Sequence, residues 1–447
     1  MSLTVLSKPE ENNAVINTLP LILYSQNNNQ SQFKYIIDAY KNGESQRLTR
    51  IKFANNAQFN NGVGTIDLSP LVRDYLGYDK PWYVSGSVNY TQNFNACRFD
   101  FIAGEEYAQT PSSSVDIYDG LGNTGQPAFT ASQNNLFLVV NEYDEGSYNW
   151  DFNEYAGVPL TNYDYKNSFN TSAYPIDQRI EQGKIVYNGD YETVTYAARV
   201  SGSQSIIFTS IEVTIYSGST QVAYQDITGV AAGTQDNENM LRYIGVGPEN
   251  LSNFNATLQT AFDGEWTGYE VFTDCSIKNN TVDIFKSMYY KNGNCTNYDR
   301  TRFAFINKFG TWDYFNIDLP LGKMTKLKKK EVTRTHFQSQ DFYTIPFSGS
   351  VPQLYGADVY NINSRGLDNY YTQPTDTFLI TSNWLDQEDS DWLTQLIDSP
   401  DVYQQIDEYF QPINVLTARY NWRTNKRGQK NFQYEIEFEL SNKRTSR

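Results

Sequence analysis

Residues 302–317 read RFAFINKFGTWDYFNI, and this stretch decides the fold of the 447-residue chain. Apolar side chains recur in near-alternation, at Phe303 and Phe305 and again at Trp312, Phe315 and Ile317, on either side of a central glycine. Alternation with a period of two is typical of a β-strand, and glycine accepts the positive φ that a short turn needs. The stretch therefore predicts a hairpin in which each strand turns one apolar face toward a core.

The composition of the whole chain favours the same class of structure. The chain has 35 tyrosines and 26 phenylalanines, and short runs of valine, isoleucine and threonine alternate with asparagine, glycine and serine. Such runs are typical of strands joined by polar turns. We therefore expect a mainly β, multidomain protein built of antiparallel β-sandwiches, with a few short helices in its C-terminal part. No run of about 18 apolar residues is present, so no membrane span is expected.

Three modules are predicted along the chain. They are an N-terminal β module at 1–110, a middle β-sandwich at 127–278 and a C-terminal β-rich module at 285–447. A polar stretch rich in serine and glycine separates the first two. In the first module, the apolar runs at 14–24 and 33–40 predict a hairpin. The apolar run at 136–140 is assigned to the middle module.

The C-terminal module contains the clearest helix signal of the chain. Residues 386–398 place Trp392, Leu393 and Leu396 on one face, and Ser399-Pro400 follows the helix. Residues 431–440 alternate between apolar and polar side chains over their whole length. Such strict alternation predicts a strand with one buried face.

The charge of the chain is strongly acidic but uneven. The formal net charge is −16, yet residues 323–334 contain six basic side chains and one acid, and residues 419–447 contain eight basic side chains and three glutamates. Three interpretations of these basic runs stay open. They are solvated surface, neutralisation of an acidic neighbouring subunit, and contact with DNA that passes through a pore.

Residues that carry chemistry are few. The single histidine, His336, cannot build a metal site of several histidines, and no phosphate-binding loop or Cys-x-x-Cys pair is present. The segment 236–239 (DNEN) lacks the spacing of a calcium loop. Of the three cysteines, Cys275 and Cys295 are either a disulfide pair or free buried thiols. We therefore expect neither an enzyme nor a cofactor.

One acidic, aromatic segment is the candidate for recognition of sugars. Residues 143–155 read YDEGSYNWDFNEY, which places aromatic platforms beside carboxylates. Its candidate glycan contacts are Tyr143, Tyr148, Trp150 and Tyr155. The alternatives are a solvated loop, a contact between subunits, and the acidic pair of a glycoside hydrolase.

Five stretches in combination resemble a known group of proteins. They are the LILY and FKYII runs at 21–24 and 33–37, the hairpin at 303–315, the helix at 384–397 and the YEIEFELSN run at 434–442. Together they resemble tail-associated virion proteins of tailed phages that infect Bacteroidota, including marine flavobacterial and crAss-like phages. The resemblance touches the N-terminal and C-terminal modules and leaves the middle module uncovered. The resemblance implies that this middle module, 127–278, is a variable insertion or decoration domain.

The resemblance implies a structural protein of the virion tail, assembled in the host cytoplasm. It would form an oligomeric ring, adaptor or hub component whose partners are further copies of itself and the tube, hub or fibre proteins. We expect assembly contacts from the basic end, at Arg419, Arg423, Lys426 and Arg427. The hairpin side chains Trp312, Tyr314 and Phe315 would fill a core or a subunit interface.

Two other functions stay open. The first is a receptor-binding or tail-fibre protein whose middle sandwich contacts host surface glycans through the segment 143–155. The second is a tailspike glycosidase. Nucleic acid would be a partner only if the protein lines a DNA channel.

Overall fold

The structure is a computed structural model of the chain, and it is mainly β with several antiparallel sheets and short helices. It describes residues 3–9, 12–15, 18–41, 46–55, 62–78, 80, 89–90, 96–128, 136–140, 159–160, 174–197, 199–201, 204–231, 241–277, 283–293, 299–333, 367–385, 387–417 and 432–441.

The first part of the chain forms a two-sheet sandwich. Its elements are β1 Leu3–Ser7, β2 Asn12–Ala14, β3 Pro20–Ser25, β4 Ser31–Lys41, β5 Thr49–Phe53, β6 Val63–Asp67, α1 Ser69–Arg73, β7 Asn89–Tyr90, β8 Ala96–Ala108, β9 Asp116–Tyr118 and β10 Leu136–Val140. One sheet has the order β1-β3-β6, and the other has the order β2-β10-β8-β4-β5 with β9 on β8. Leu23 of the first sheet and Tyr35 and Phe99 of the second share one buried core.

The predicted hairpin of 14–24 with 33–40 is wrong. β3 pairs with β1 and β6, whereas β4 pairs with β5 and β8 in the opposite sheet. The two strands follow one another in sequence but lie on opposite sides of the core. Their apolar faces meet across the sandwich, and alternation alone does not distinguish that arrangement from edge-to-edge pairing.

The sheets do not follow the predicted module limits at every strand. β10, expected in the middle module, pairs antiparallel with β8 and parallel with β2 in the N-terminal sandwich. In the other direction, β7 leaves the N-terminal region and pairs with a strand of the middle region at Tyr243 and Ile244. Strands exchanged in this way tie the first two regions together.

The middle part forms a second sandwich. Its elements are α2 Ile176–Glu181, β11 Lys184–Val186, β12 Thr193–Ala197, β13 Arg199–Ser201, β14 Gln204–Ser217, β15 Thr220–Asp226, α3 Thr228–Ala231, β16 Leu241–Gly245, α4 Pro248–Phe254, α5 Ala256–Phe262, β17 Gly268–Ile277 and β18 Asp283–Asn292. The larger sheet has the order β11-β18-β17-β14-β13 with β15 on β14, and the smaller has the order β12-β16-β7. Tyr196 and Tyr243 of the smaller sheet and Val213 and Tyr269 of the larger share one core.

The last part is one seven-stranded sheet with a helix against it. Its elements are β19 Thr301–Ile306, β20 Trp312–Ile317, β21 Gly322–Thr333, β22 Leu367–Thr381, α6 Gln387–Asp398, β23 Val402–Ile406, β24 Tyr409–Val415 and β25 Glu435–Leu440. The sheet has the order β20-β19-β23-β24-β25-β22-β21. The helix predicted at 386–398 is therefore confirmed over 387–398, and Leu393 and Leu396 are fully buried against the sheet. Ile436 and Phe438 of β25 fill the same core, as the alternation at 431–440 predicts.

The hairpin predicted at 302–317 is confirmed as β19 and β20, but it is buried on both faces. Every residue of both strands is buried. Phe303, Phe305 and Phe315 pack toward α6, whereas Trp312 and Tyr314 pack into a separate core on the other side of the sheet. The sequence predicted one apolar, buried face and one solvent-exposed face for each strand, and this prediction is wrong. A second layer of the protein covers the face that was expected to be exposed.

The turn of this hairpin depends on Gly310, which has a φ of +74°. We expect Gly310→Ala to lower the free energy of unfolding by about 1 to 2 kcal/mol, because a Cβ is disfavoured in the left-handed region. Gly229→Ala is the matched control, since Gly229 lies in α3 and an added Cβ would meet no atom within 4 Å. Urea unfolding of both variants measures the difference. Equal losses of stability would contradict the assigned turn.

Candidate functional site

A cluster of buried charges joins the middle sandwich to the C-terminal sheet. Nη1 of Arg302 lies 3.1 Å from Asp190 Oδ2, and its Nη2 lies 2.7 Å from Glu192 Oε2. Lys184 pairs with Glu192, and Arg300 Nη1 lies 2.8 Å from Asp190 Oδ1. The side chains of Arg302, Asp190, Glu192 and Lys184 are all at most 6% exposed.

The electrostatics of this cluster favour a structural role. Burial alone would lower the pKa of Arg302, but the charges of Asp190 and Glu192 outweigh it, so that the pKa is raised. Burial lowers the pKa of Arg300, although Asp190 opposes the shift. Each carboxylate of the cluster contacts a cation, and Tyr314 lies under the Arg302 guanidinium at 5.0 Å. A closed and paired set of this kind holds two layers in register.

The most exposed charged feature of the described residues is a two-stranded arm. β22 pairs with β25 only over Thr377–Thr381, whereas its pairing with β21 extends from Leu379 to Leu367. Residues 325–333 and 367–376 therefore have only each other as strand partners in this part of the structure, and we call them the arm. At 3.3 Å per residue the arm is about 25 Å long.

A line of lysines follows the open edge of the arm. Lys326, Lys328, Lys329 and Lys330 are all exposed, and together we call them the lysine edge. Their opposite residues on β22 are all neutral, namely Thr375, Gln373, Thr372 and Tyr371. Lys326 lies 3.8 Å from Glu437, a weak and solvent-exposed contact. The lysine edge therefore concentrates positive charge on an exposed strand opposite neutral residues.

Apolar side chains accompany these lysines. Met324 is 59% exposed and Leu327 is 56% exposed. An isolated two-stranded ribbon is marginally stable by itself. The combination of lysines, exposed apolar side chains and an open backbone edge is typical of a surface that another protein covers.

A second exposed feature lies at the turn between β23 and β24. Asp407 and Glu408 form the turn, and Ile406 and Tyr409 flank it as a strand pair. Tyr409 is 75% exposed. Gln405 Nε2 donates to the carbonyl of Asp407 at 2.9 Å, which holds the turn in place. We call residues 406–409 the acidic tip.

The residues singled out from the sequence have different positions. Trp312, Tyr314 and Phe315 are buried in the cores of this chain. The basic residues Arg419, Arg423, Lys426 and Arg427, the aromatic residues Tyr143, Tyr148, Trp150 and Tyr155, the segment 236–239 and His336 all lie outside the described residues. The basic run at 323–334 is the sequence feature that the structure describes as the lysine edge.

Two of the three cysteines lie in the described part of the chain. Cys97 and Cys275 are buried and form no disulfide among the described residues, and Cys295 lies outside them. Burial raises the pKa of the Cys275 thiol to about 12, with a smaller contribution from Asp274. Among the described residues, no group of three or more histidine, cysteine or acidic side chains could hold a metal ion. None of the helices described is long and apolar enough to cross a membrane.

No model of a known protein family matches the chain, and no curated protein matches it. The chain's function is therefore inferred from its own surfaces.

Sequence reasoning missed two features of these surfaces. The buried cluster had one signal, because Arg302 begins a strand of apolar residues, where an unpaired charge would be costly. The acidic tip had the signal of a two-residue polar turn, Asp407-Glu408, between two apolar positions. Neither signal identifies the residues that contact the cluster or the tip, because those residues lie far away in the sequence.

Proposed function

We propose that this protein is a structural subunit of a phage tail, and that it forms a ring or adaptor through contacts between copies. The lysine edge is the observation that carries the proposal. A chain with a net charge of −16 repels its own copies unless a basic surface meets an acidic one. The lysine edge supplies such a surface on an extended arm.

The acidic tip is the best partner for the lysine edge among the described residues. It offers Asp407 and Glu408 against the lysines, and Ile406 and Tyr409 against the exposed apolar side chains of β21. The two surfaces lie on different strands of one sheet, so one copy can present its arm to the tip of the next. Contacts of this heterologous kind close into rings when the rotation between copies allows it.

Lysines on an edge strand have another common role, which is to prevent uncontrolled addition of strands. That role needs only one or two charges on an edge. Here four lysines lie within five residues of an arm that leaves the sheet, beside Met324 and Leu327. The arrangement favours recognition by charge and apolar contact over protection of the edge alone.

Charge reversal tests the proposal. We expect K328E/K329E to reduce incorporation into phage particles by roughly tenfold or more, because like charges would then meet at the acidic tip. The matched control is K8E/K286E, which changes the net charge by the same amount away from the arm. Quantitative mass spectrometry of purified particles measures incorporation, and circular dichroism checks folding.

A charge swap identifies the partner surface. D407N/E408K makes the tip basic, and asparagine tolerates the φ of +52° at position 407. Each pair of substitutions alone should block assembly, and all four in one chain should restore it at least in part. Normal incorporation of K328E/K329E would contradict the proposal, and failure of the swap to restore assembly would exclude the tip as the partner.

A receptor-binding role through the middle sandwich is the other function proposed from the sequence. Its residues, 143–155, lie outside the described part of the chain. The described surface that favours recognition of sugars lies elsewhere, beside Trp384.

A further inference from the structure

A cleft opens where the middle sandwich meets the C-terminal sheet. It has a volume of about 230 Å³ and lies between three parts of the chain. They are residues 181–185 from the end of α2 to the start of β11, residues 314–316 of β20, and Asn383, Trp384, Leu385, Asp389 and Trp392 just before and within α6. β11 and β20 are each the terminal strand of their sheet, and Asn316 Nδ2 bridges them by donating to the carbonyl of Ile185 at 3.0 Å. Clefts between packed units are common sites for small ligands.

One wall of the cleft is an exposed tryptophan, Trp384, whose side chain is 66% exposed. The backbone on both sides of it is fixed. Ser382 N donates to the carbonyl of Tyr434 at 2.7 Å, and Leu385 exchanges backbone hydrogen bonds of 2.9 and 2.7 Å with Phe432. The indole is thus presented to solvent from a rigid segment, so little conformational entropy would be lost when a ligand stacks on it.

The floor of the cleft is aromatic, and the polar atoms of its rings bond inside the protein. Trp392 Nε1 donates to Asp313 Oδ2 at 2.9 Å, and the Tyr314 hydroxyl lies 3.1 Å from Thr193 Oγ1. The ammonium of Lys184 is paired with Glu192. Tyr314 and Trp392 are at most 5% exposed, so the floor is closely packed and has little free charge.

The rim is polar and carries both hydrogen-bond donors and acceptors. It includes the amides of Gln182, Asn316 and Asn383 and the carboxylates of Glu181 and Asp389. Lys291, the cation at the rim, lies 2.5 Å from Glu181. Asn316 is buried, and its Oδ1 accepts no hydrogen bond among the described residues.

We infer that this cleft binds one ring of a neutral saccharide, with the sugar's C–H face stacked on Trp384. A sugar ring combines an apolar face with hydroxyl groups that both donate and accept, which matches an exposed indole beside amides and carboxylates. The volume is below the range of about 300 to 1,000 Å³ that is typical of drug-sized ligands, and it suits a single ring. The paired cations disfavour an anionic ligand, which would need an unpaired positive charge.

The inferred binding of a saccharide does not depend on the proposed role in a tail. Separate experiments can therefore contradict the one without contradicting the other. Substitutions in the cleft should leave incorporation into particles unchanged. Charge reversal on the arm should leave binding of sugars unchanged.

Binding is tested with the full-length chain on a printed array of bacterial surface polysaccharides and neutral oligosaccharides, and each bound glycan is then titrated by calorimetry. We expect the wild type to bind at least one neutral glycan. Trp384→Ala should weaken that binding by roughly tenfold, and Trp384→Phe should retain most of it, because an aromatic stacking contact is lost in the first variant only. Trp384 is exposed, so both variants should keep the unfolding midpoint of the wild type.

The matched control is Tyr224→Ala, which removes another exposed aromatic side chain far from the cleft in sequence and should not change binding. Asp389→Asn, which keeps the shape of the rim and removes a charge, should weaken binding of a neutral glycan only slightly. Absence of any bound glycan on the array would overturn the inference. Binding that Trp384→Ala leaves intact, or binding to anionic glycans alone, would overturn it as well.

Discussion

Replacing Arg302 by methionine is expected to lower the free energy of unfolding by about 3 to 5 kcal/mol. Methionine keeps much of the volume of the side chain but leaves Asp190 and Glu192 with fewer cations in a site closed to solvent. Removal of one partner from a buried charge cluster leaves an uncompensated charge, whose desolvation is no longer offset. Urea unfolding followed by tryptophan fluorescence measures the loss.

The control for Arg302→Met is Lys323→Met. Lys323 Nζ lies 2.7 Å from Asp376 Oδ2, but its side chain is largely exposed. Exposed pairs contribute about 0 to 1 kcal/mol, so the control should lose little. A loss for Arg302→Met no larger than that of the control would contradict the assignment of this cluster as the joint between the middle sandwich and the C-terminal sheet.

Replacing Trp392 by alanine is expected to cost about 3 to 5 kcal/mol, which is typical of a large aromatic side chain removed from a core. Trp392 lies 5.0 Å from Phe315 and 6.2 Å from Phe305 between ring centroids, so it holds α6 against the central hairpin. Its Nε1 also donates to the buried carboxylate of Asp313. The substitution would therefore leave both a cavity and an acceptor that has lost its indole donor.

Two further variants separate these causes. Trp392→Phe keeps an aromatic ring and removes the hydrogen bond, and it should cost about 1 to 3 kcal/mol. Trp384→Ala removes an exposed tryptophan that lies just before α6, and it should change the free energy of unfolding by less than about 0.5 kcal/mol. Thermal unfolding of the three variants gives the comparison. If Trp384→Ala were as destabilising as Trp392→Ala, the burial assigned to these two side chains would be wrong.

Local sequence patterns predicted the elements of the fold well where the cause was local. The hairpin at 302–317 has its turn at Gly310, and the helix predicted at 386–398 is observed at 387–398. The hairpin and the helix both depend on the spacing of apolar and turn-forming residues that lie within a few positions of one another. The burial of the hairpin's second face depends on Tyr191 and Phe410, which lie about a hundred residues away on either side and leave no mark in the hairpin itself.

The same limit applies to the candidate surfaces. The basic run at 323–334 was visible in the sequence, but its projection from the sheet follows from pairing with Leu367–Thr381 beyond a long intervening segment. Trp384 was grouped with the predicted helix and instead lies before it, exposed beside the cleft. Charge and periodicity can be predicted from neighbouring residues, whereas exposure requires the tertiary fold.

The position and copy number of the chain in intact phage particles test the central proposal most directly. Cryo-electron microscopy of the tail should locate the protein in closed cyclic symmetry around the tail axis, in multiples of six or twelve copies, with the lysine edge of each copy on the acidic tip of the next. Absence of the chain from the particle, or its presence only as trimers that project from the tail, would contradict the proposal.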